Sequence, residues 1–361
     1  LGGGRIQQIW AAAGLVTIAG LYALSARLFR QARFMWPAAL LIFVPWTILT
    51  NLGWFIFKRP STPGFALSWV VLAWLLLLAG LTLNRFAARA YALPLKSVAH
   101  VLLPFSLLWG VAHVSTSRFT FALAIGFYGL EAIRDYVRAR RGGDASLVSR
   151  FLYPALGLIP VWCVYVMAWL LPSARHEHYG LMLLAFGFAG LIAGQWLERV
   201  APRREAANSY ALPGYLTGYV SAIVGTLLVA HDPPLLALAL LYDAALMLVS
   251  ARLFKHPLWV YPAAASVPLS LLLALNEASV PGNRQGWWLI GLAAIYLLLA
   301  WALRRVRLSA YGTAALTVGF ALMALGLPPS SRDKIGALWG YGGAAVLYAL
   351  TAAWLRQPLL L

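Results

Sequence analysis

Acidic residues are scarce in this chain: ten Asp and Glu stand against 28 Lys and Arg in 361 residues, and charged residues together reach only 11%. That is roughly half the share of an ordinary soluble domain. So few charges cannot coat a water-facing surface of this size, which excludes a soluble fold. Cysteine is nearly missing too. Cys163 stands alone in an apolar run, so an internal disulfide and a paired-cysteine metal site are both excluded. Other chemical signatures are absent: no phosphate-cradling glycine loop, no His-Glu-x-x-His pair, no nucleophile-elbow serine. No stretch is long and polar enough for a soluble domain. Strands have little place, because the apolar runs are helix-length and lack the alternation of a membrane barrel.

What is present is apolar mass, 62% of all positions. Runs of about 20 residues, long enough to cross roughly 30 Å of hydrocarbon, recur along the whole chain. They predict spans near 6–28, 36–57, 65–85, 92–114, 118–138, 152–172, 179–199, 210–231, 234–254, 260–276, 286–304, 310–327 and 335–355. The fold class expected is an all-α integral membrane protein of about thirteen transmembrane helices, forming one polytopic domain over 1–361.

A formal net charge of +18 would point to nucleic acid in a soluble protein. Here the charges sit almost wholly in short loops, where membrane topology requires them, and no nucleic-acid partner is expected. Loops after the first helix of each pair, with their flanking helix ends, hold 20 Lys and Arg; the other side holds 8. Positive charge is retained in the cytoplasm, so the basic loops are expected inside and the amino end outside. The Ala/Leu/Arg-rich composition favours a bacterial cytoplasmic membrane.

The chain repeats itself. Ser25-Ala-Arg-Leu-Phe-Arg30, followed by Trp36-Pro37-Ala38, parallels Ser250-Ala-Arg-Leu-Phe-Lys255, followed by Tyr261-Pro262-Ala263. Tyr91-Ala-Leu-Pro94 parallels Tyr210-Ala-Leu-Pro213, and Tyr153-Pro154-Ala155 is a third relative. One grammar underlies these segments. An apolar helix ends in a basic residue, which complements the negative pole of the helix dipole. A polar turn follows, and then an aromatic suited to the lipid–water interface, usually with a proline, opens the next helix. The basic anchors from Arg30 to Arg356 lie 54 residues apart on average, enough for two spans and two loops. Tandem two-helix units are therefore expected near 6–57, 65–114, 118–172, 179–231, 234–276 and 286–327, with a half unit at 335–361. Arg356-Gln-Pro-Leu-Leu-Leu361 matches Lys255-His-Pro-Leu-Trp-Val260, after which the earlier unit continues with another span. The expectation is a portion of a longer array.

Asp243 is the foremost candidate for chemistry. It lies twelve positions before Lys255, about 18 Å along a helix from its basic end. A carboxyl near the bilayer midplane is costly and usually marks function. No Lys or Arg sits at comparable depth, so Asp243 is expected either protonated or hydrogen-bonded to a hydroxyl in a helix interface, or engaged in proton or ion handling. An outer cluster, His176-Glu177-His178 with His231-Asp232, offers donors that suit zinc or copper, though at no recognised spacing; the ligands would be His176, His178, His231 and Asp232. His100, within an apolar helix, is a candidate ligand for a single haem or pigment, or a hydrogen-bonding partner of a neighbouring helix. No helix offers a second histidine at matching depth. Glu131, Arg134, Asp135 and Arg138 read as a local charge network of i,i+3 pairs, with a cytosolic gate or docking patch as the alternative. Arg140, Arg141 and Arg150 extend it into a basic loop suited to anionic lipid. Gly190 with Gly194, and Gly214 with Gly218, read as helix packing.

Two spans per unit give successive units one orientation, unlike the inverted repeats of many secondary transporters. Such an array offers an extended lateral surface. With so few polar groups inside the membrane, that surface suits lipid and other membrane chains. The function expected is a non-enzymatic scaffold or accessory subunit. A transporter or channel for ions or lipidic substrates, coupled through Asp243, is the alternative. Behind it stands an enzyme on lipid-linked substrates using Glu177, Asp232 or Glu277.

Overall fold

The computed structural model describes residues 4–53, 64–86, 89–142, 148–202, 206–332 and 334–355. The carboxy-terminal segment Arg356–Leu361, with its match to Lys255–Val260, lies outside these. Among the described residues there is no strand. The helices are α1 (Arg5–Leu28), α2 (Met35–Leu41), α3 (Phe43–Asn51), α4 (Gly64–Arg85), α5 (Arg89–Gly110), α6 (Val114–Arg140) and α7 (Val148–Leu170). They continue as α8 (His176–Val200), α9 (Ala207–Leu228), α10 (Pro233–Leu253), α11 (Val260–Glu277), α12 (Gly282–Arg305), α13 (Ser309–Ser330) and α14 (Lys334–Leu355).

Helices α2 and α3 are halves of one crossing, Ala32–Asn51. Pro45 has no N–H to give the Leu41 carbonyl, and its ring crowds that turn, so the helix breaks at Ile42. Counted so, the described residues hold thirteen helical segments, and twelve are long and apolar enough to cross a membrane. The remaining one, α6, has 27 residues but carries Arg118, Glu131, Arg134, Asp135 and Arg138. The chain is thus an all-α, multi-pass membrane protein. Large apolar side chains stay exposed along its helices, including Val101 at 73% and Leu108 at 75%. In water that surface would be ruinous; against acyl chains it is ordinary.

Several helices begin earlier than the aromatic–proline pairs suggest. Helices α5, α7 and α9 start at Arg89, Val148 and Ala207, about one and a half turns before Pro94, Pro154 and Pro213. Each proline forfeits one hydrogen bond, to a carbonyl in the first turn. A carbonyl in the first turn lies at the helix end, where water or a polar headgroup can satisfy it.

Where the sequence matches itself most closely, the backbone does too. Phe29 and Phe254 end α1 and α10 at φ −85°, and Arg30 and Lys255 then turn left-handed at φ 54° and 51°. Gln31 N–H reaches back to Ala26 O at 3.0 Å and His256 N–H to Ala251 O at 3.2 Å, closing the same cap. A 3-10 turn follows each, Ala32–Phe34 and Pro257–Trp259. Arg307 repeats the left-handed cap at φ 62°, with Leu308 N–H on Leu303 O at 2.8 Å. Glycine would avoid a cost of about 1 kcal/mol there. A basic residue instead places its charge at the helix's negative end.

The described residues group into two units, Leu1–Ser173 with Trp196–Pro213, and Ala174–Gln195 with Gly214–Leu361. In the first, the α4–α5 and α6–α7 hairpins enclose a core holding Val70, Ala73, Leu77, Leu103 and Phe127. Lipid cannot solvate an indole N–H, so the tryptophans find partners inside. Trp46 donates to the Ser68 hydroxyl at 2.7 Å, Trp69 to Thr47 at 3.0 Å, and Trp74 to Leu123 O at 3.0 Å. In the second unit, α8 and α9 meet backbone to backbone. A methyl group on Gly214 would lie 2.6 Å from Gly194 N, and one on Gly225 would lie 2.7 Å from Gly180 O. Serine and tyrosine hydroxyls stitch the later helices, Ser270 to Ala237 O and Tyr296 to Ala264 O, both at 2.8 Å.

Candidate functional site

Asp243 lies on α10, ten residues from Pro233 and ten from Leu253, about 15 Å from either end. Its Oδ2 accepts a hydrogen bond from the Thr226 hydroxyl of α9 at 2.7 Å. Its Oδ1 is buried with no hydrogen-bond partner. Its sequence neighbour Tyr242 points elsewhere, donating to Leu184 O and accepting from Phe188 N–H at 3.3 Å. Further toward the basic end, Tyr219 donates to Ser250, whose hydroxyl donates to Leu246 O at 2.7 Å. A carboxyl bonded to a hydroxyl in a helix interface was one of the two expectations for this residue, and Thr226 supplies that hydroxyl.

The first unit carries a denser polar cluster, on α5 and α6. Glu131 and Asp135 are buried, at 3% and 6% exposure. Arg134 pairs with Glu131, and Arg138 with Asp135 at 3.3 Å. Both are i,i+3 pairs, as the spacing predicts. Lys96, two turns into α5, lies within electrostatic reach of all four charges. It is about 10 Å along α5 from Arg89. Nothing in the spacing of the α6 charges points to Lys96. Comparison of the two Tyr-Ala-Leu-Pro segments offers a signal for it, since Lys96 occupies the place that Tyr215 takes after Tyr210-Ala-Leu-Pro213.

One turn beyond Lys96 stands His100. Its Nδ1 is 2.7 Å from Lys96 O, and its ring is boxed by Phe127, Tyr128 and Phe151, with centroids 5.2, 6.5 and 5.1 Å away. Its Nε2 is buried and unpartnered. Aromatic rings thus fill the space about the imidazole on three sides. Tyr210 belongs to this unit as well. Expected at the interface, it is only 1% exposed and packs edge-on to Tyr136 with its hydroxyl unpartnered. Tyr136 donates to Val200 O at 3.0 Å.

The outer histidines lie in the second unit. His176 and His178 are exposed in the first turn of α8, where His178 Nδ1 accepts from Arg175 N–H at 3.2 Å. His231 is exposed in the turn before α10, and Asp232 caps that helix, accepting from Leu235 N–H at 3.1 Å. Among the described residues, no three His, Cys, Asp or Glu side chains gather in a way that could hold a metal ion. The four proposed ligands are therefore not brought together. The Asp232 carboxylate is engaged as a helix cap.

Among the described residues, several clefts have mainly apolar linings. In the first unit, one of ≈ 440 Å³ is lined by Trp36, Leu40, Phe43, Val101 and Phe105 among others. In the second, one of ≈ 650 Å³ lies among α10, α11, α12 and α13, and two of ≈ 430 and ≈ 540 Å³ lie between α12 and α14. Comparisons of the chain with protein-family models, with curated proteins and with solved structures gave no match.

Proposed function

We propose that this chain is a non-enzymatic scaffold or accessory subunit of a larger complex in a bacterial cytoplasmic membrane, built on tandem two-helix units and packed laterally against lipid and other membrane chains. The apolar clefts on its helical flanks carry this reading. Their linings are mostly aliphatic and aromatic, and Ile295 and Leu248, which border the ≈ 650 Å³ cleft, remain 60% and 53% exposed. A surface of that kind recognises hydrocarbon and other helices, and offers little to a hydrophilic solute. Solubilisation from native membrane in mild detergent, followed by native mass spectrometry, tests it. The expected result is a defined assembly in which this chain holds a fixed stoichiometry with another membrane protein. Recovery as a lone monodisperse monomer would count against the reading.

A second reading rests on Asp243. A carboxyl oxygen buried mid-helix without a partner is the kind of group that couples ion or proton movement in transporters. Asn at this position keeps an oxygen for the Thr226 hydroxyl and removes the titratable group. If the chain moves ions or lipidic substrates through Asp243, then Asp243→Asn abolishes flux in reconstituted vesicles while leaving the fold intact. Unchanged flux would end that mechanism.

A further inference from the structure

Arg252 sits near the basic end of α10, exposed, and its guanidinium makes no ion pair or hydrogen bond with any described residue. It lines two clefts at once. One is the ≈ 650 Å³ cleft among α10–α13; the other, of ≈ 370 Å³, lies between α8 and α10 and includes Phe188, Ile192 and Gln195. Both lie within the second unit. The cation thus stands where two largely apolar clefts meet.

Charge and depth together identify what fits. Lys255, Arg304, Arg305 and Arg307 share this helical end with Arg252. On α8, Glu198 stands one turn past Gln195 but is engaged in an interaction of its own, and the second unit's described acids lie elsewhere. Glu177, Asp232 and Glu277 stand at the opposite helix ends, and Asp243 is nine residues, about 13 Å, further along α10. An anion is therefore wanted at the mouth. The larger cleft follows α12 from Leu303 to Leu292, eleven residues or about 16 Å, which is roughly half of a ~30 Å hydrocarbon core. On α13 it reaches only as far as Ala315, and on α11 only to Val267. A partner helix would need a groove spanning both leaflets. A cleft one leaflet deep with an uncompensated cation at its interfacial mouth matches a single lipid.

We propose that this end of the second unit binds one anionic phospholipid. Its phosphate lies on Arg252, one acyl chain fills the cleft among α10–α13, and the other chain takes the cleft beside α8. The site stands whether the chain is a scaffold or a transporter. Basic pockets between transmembrane helices recognise anionic headgroups by the same chemistry.

Native mass spectrometry of the full chain, released from micelles doped with equal phosphatidylglycerol and phosphatidylcholine, tests the proposal. One phosphatidylglycerol should be retained per chain in preference to phosphatidylcholine. Arg252→Gln should lower its retention about tenfold, the worth of one charge-assisted contact. Arg305 lines neither cleft, its guanidinium stacking 4.3 Å from the Trp301 ring, so Arg305→Gln, which removes a charge from the same helical end, should lower retention far less than Arg252→Gln; an equal loss overturns the proposal. Ile295→Trp, at an exposed position, should fill the cleft and lower retention with the helical circular dichroism preserved. Equal retention of the two lipids, or unchanged retention in either Arg252→Gln or Ile295→Trp, overturns the proposal. So does full competition by soluble glycerophosphoglycerol, which has the headgroup and no chains.

Discussion

Glu131 and Asp135 show how burial, more than charge, decides what a residue is worth. Both carboxylates are shielded, yet Arg134 is 25% exposed and Arg138 47% exposed at the side chain. Removing one member of a buried pair strands the other, at a cost of about 3–5 kcal/mol when both are fully enclosed. Arg134 is only partly enclosed, so Glu131→Ala is expected to destabilise the protein by about 2–4 kcal/mol. Arg138 can turn to water, so Asp135→Ala should cost less, about 1 kcal/mol. Denaturant unfolding in detergent micelles compares the two; equal losses would show that exposure of the arginine does not matter. The pairs themselves were legible, because i,i+3 spacing on a helix is a property of local sequence. Lys96 was hidden, since only the packing of α5 on α6 brings it to the same charges. Tyr210 misled for the reverse reason: an aromatic ring before a proline suits an interface, but here Tyr136 and its neighbours cover it.

At the scale of elements, the α8–α9 contact depends on the absence of side chains. Gly190 faces the Gly218 backbone, and Gly194 faces Gly214. Without a hydrophobic drive between helices in lipid, close backbone approach and the dispersion it permits supply much of the association. Gly190→Leu must push α9 away. A loss of about 1–3 kcal/mol is expected, as for overpacking elsewhere, whereas Gly291→Leu, at a glycine with open space around it, should be tolerated. Thermal unfolding of the two variants in the same detergent makes the comparison, and a tolerated Gly190→Leu would rule out the tight crossing. The glycine spacing was visible in the sequence. Its extension to Gly180 and Gly225 was not, because glycine is common in membrane spans and spacing alone does not say which glycines meet. The caps after α1 and α10 lay at the legible extreme: six residues, nearly identical in the two places, take the same left-handed turn.

For the whole molecule, the distribution of Lys and Arg predicts which loops stay inside. With a single natural cysteine, a Cys163→Ser background allows one reporter at a time. Gln31→Cys, in a basic loop, should resist a membrane-impermeant maleimide applied to intact cells, and His231→Cys, in a loop of the other side, should react. The reverse pattern would invert the topology, and equal labelling would remove the distinction between the two sets of loops.

Composition and periodicity determined by themselves that the chain is helical and crosses a membrane many times, because the length of an apolar run and the scarcity of charge are local quantities set against a fixed hydrocarbon thickness. They also singled out Asp243, since a carboxyl in such a run stands out wherever the helix packs. Only the tertiary structure decided that Asp243 bonds Thr226, that Lys96 joins the charges of α6, that the described outer histidines and carboxylates form no cluster of three metal donors, and that Arg252 borders two clefts. Those facts depend on which helix faces meet. In a chain that is apolar on nearly every face, the sequence carries little information about that choice, because lipid and a neighbouring helix are almost equally good solvents for a leucine.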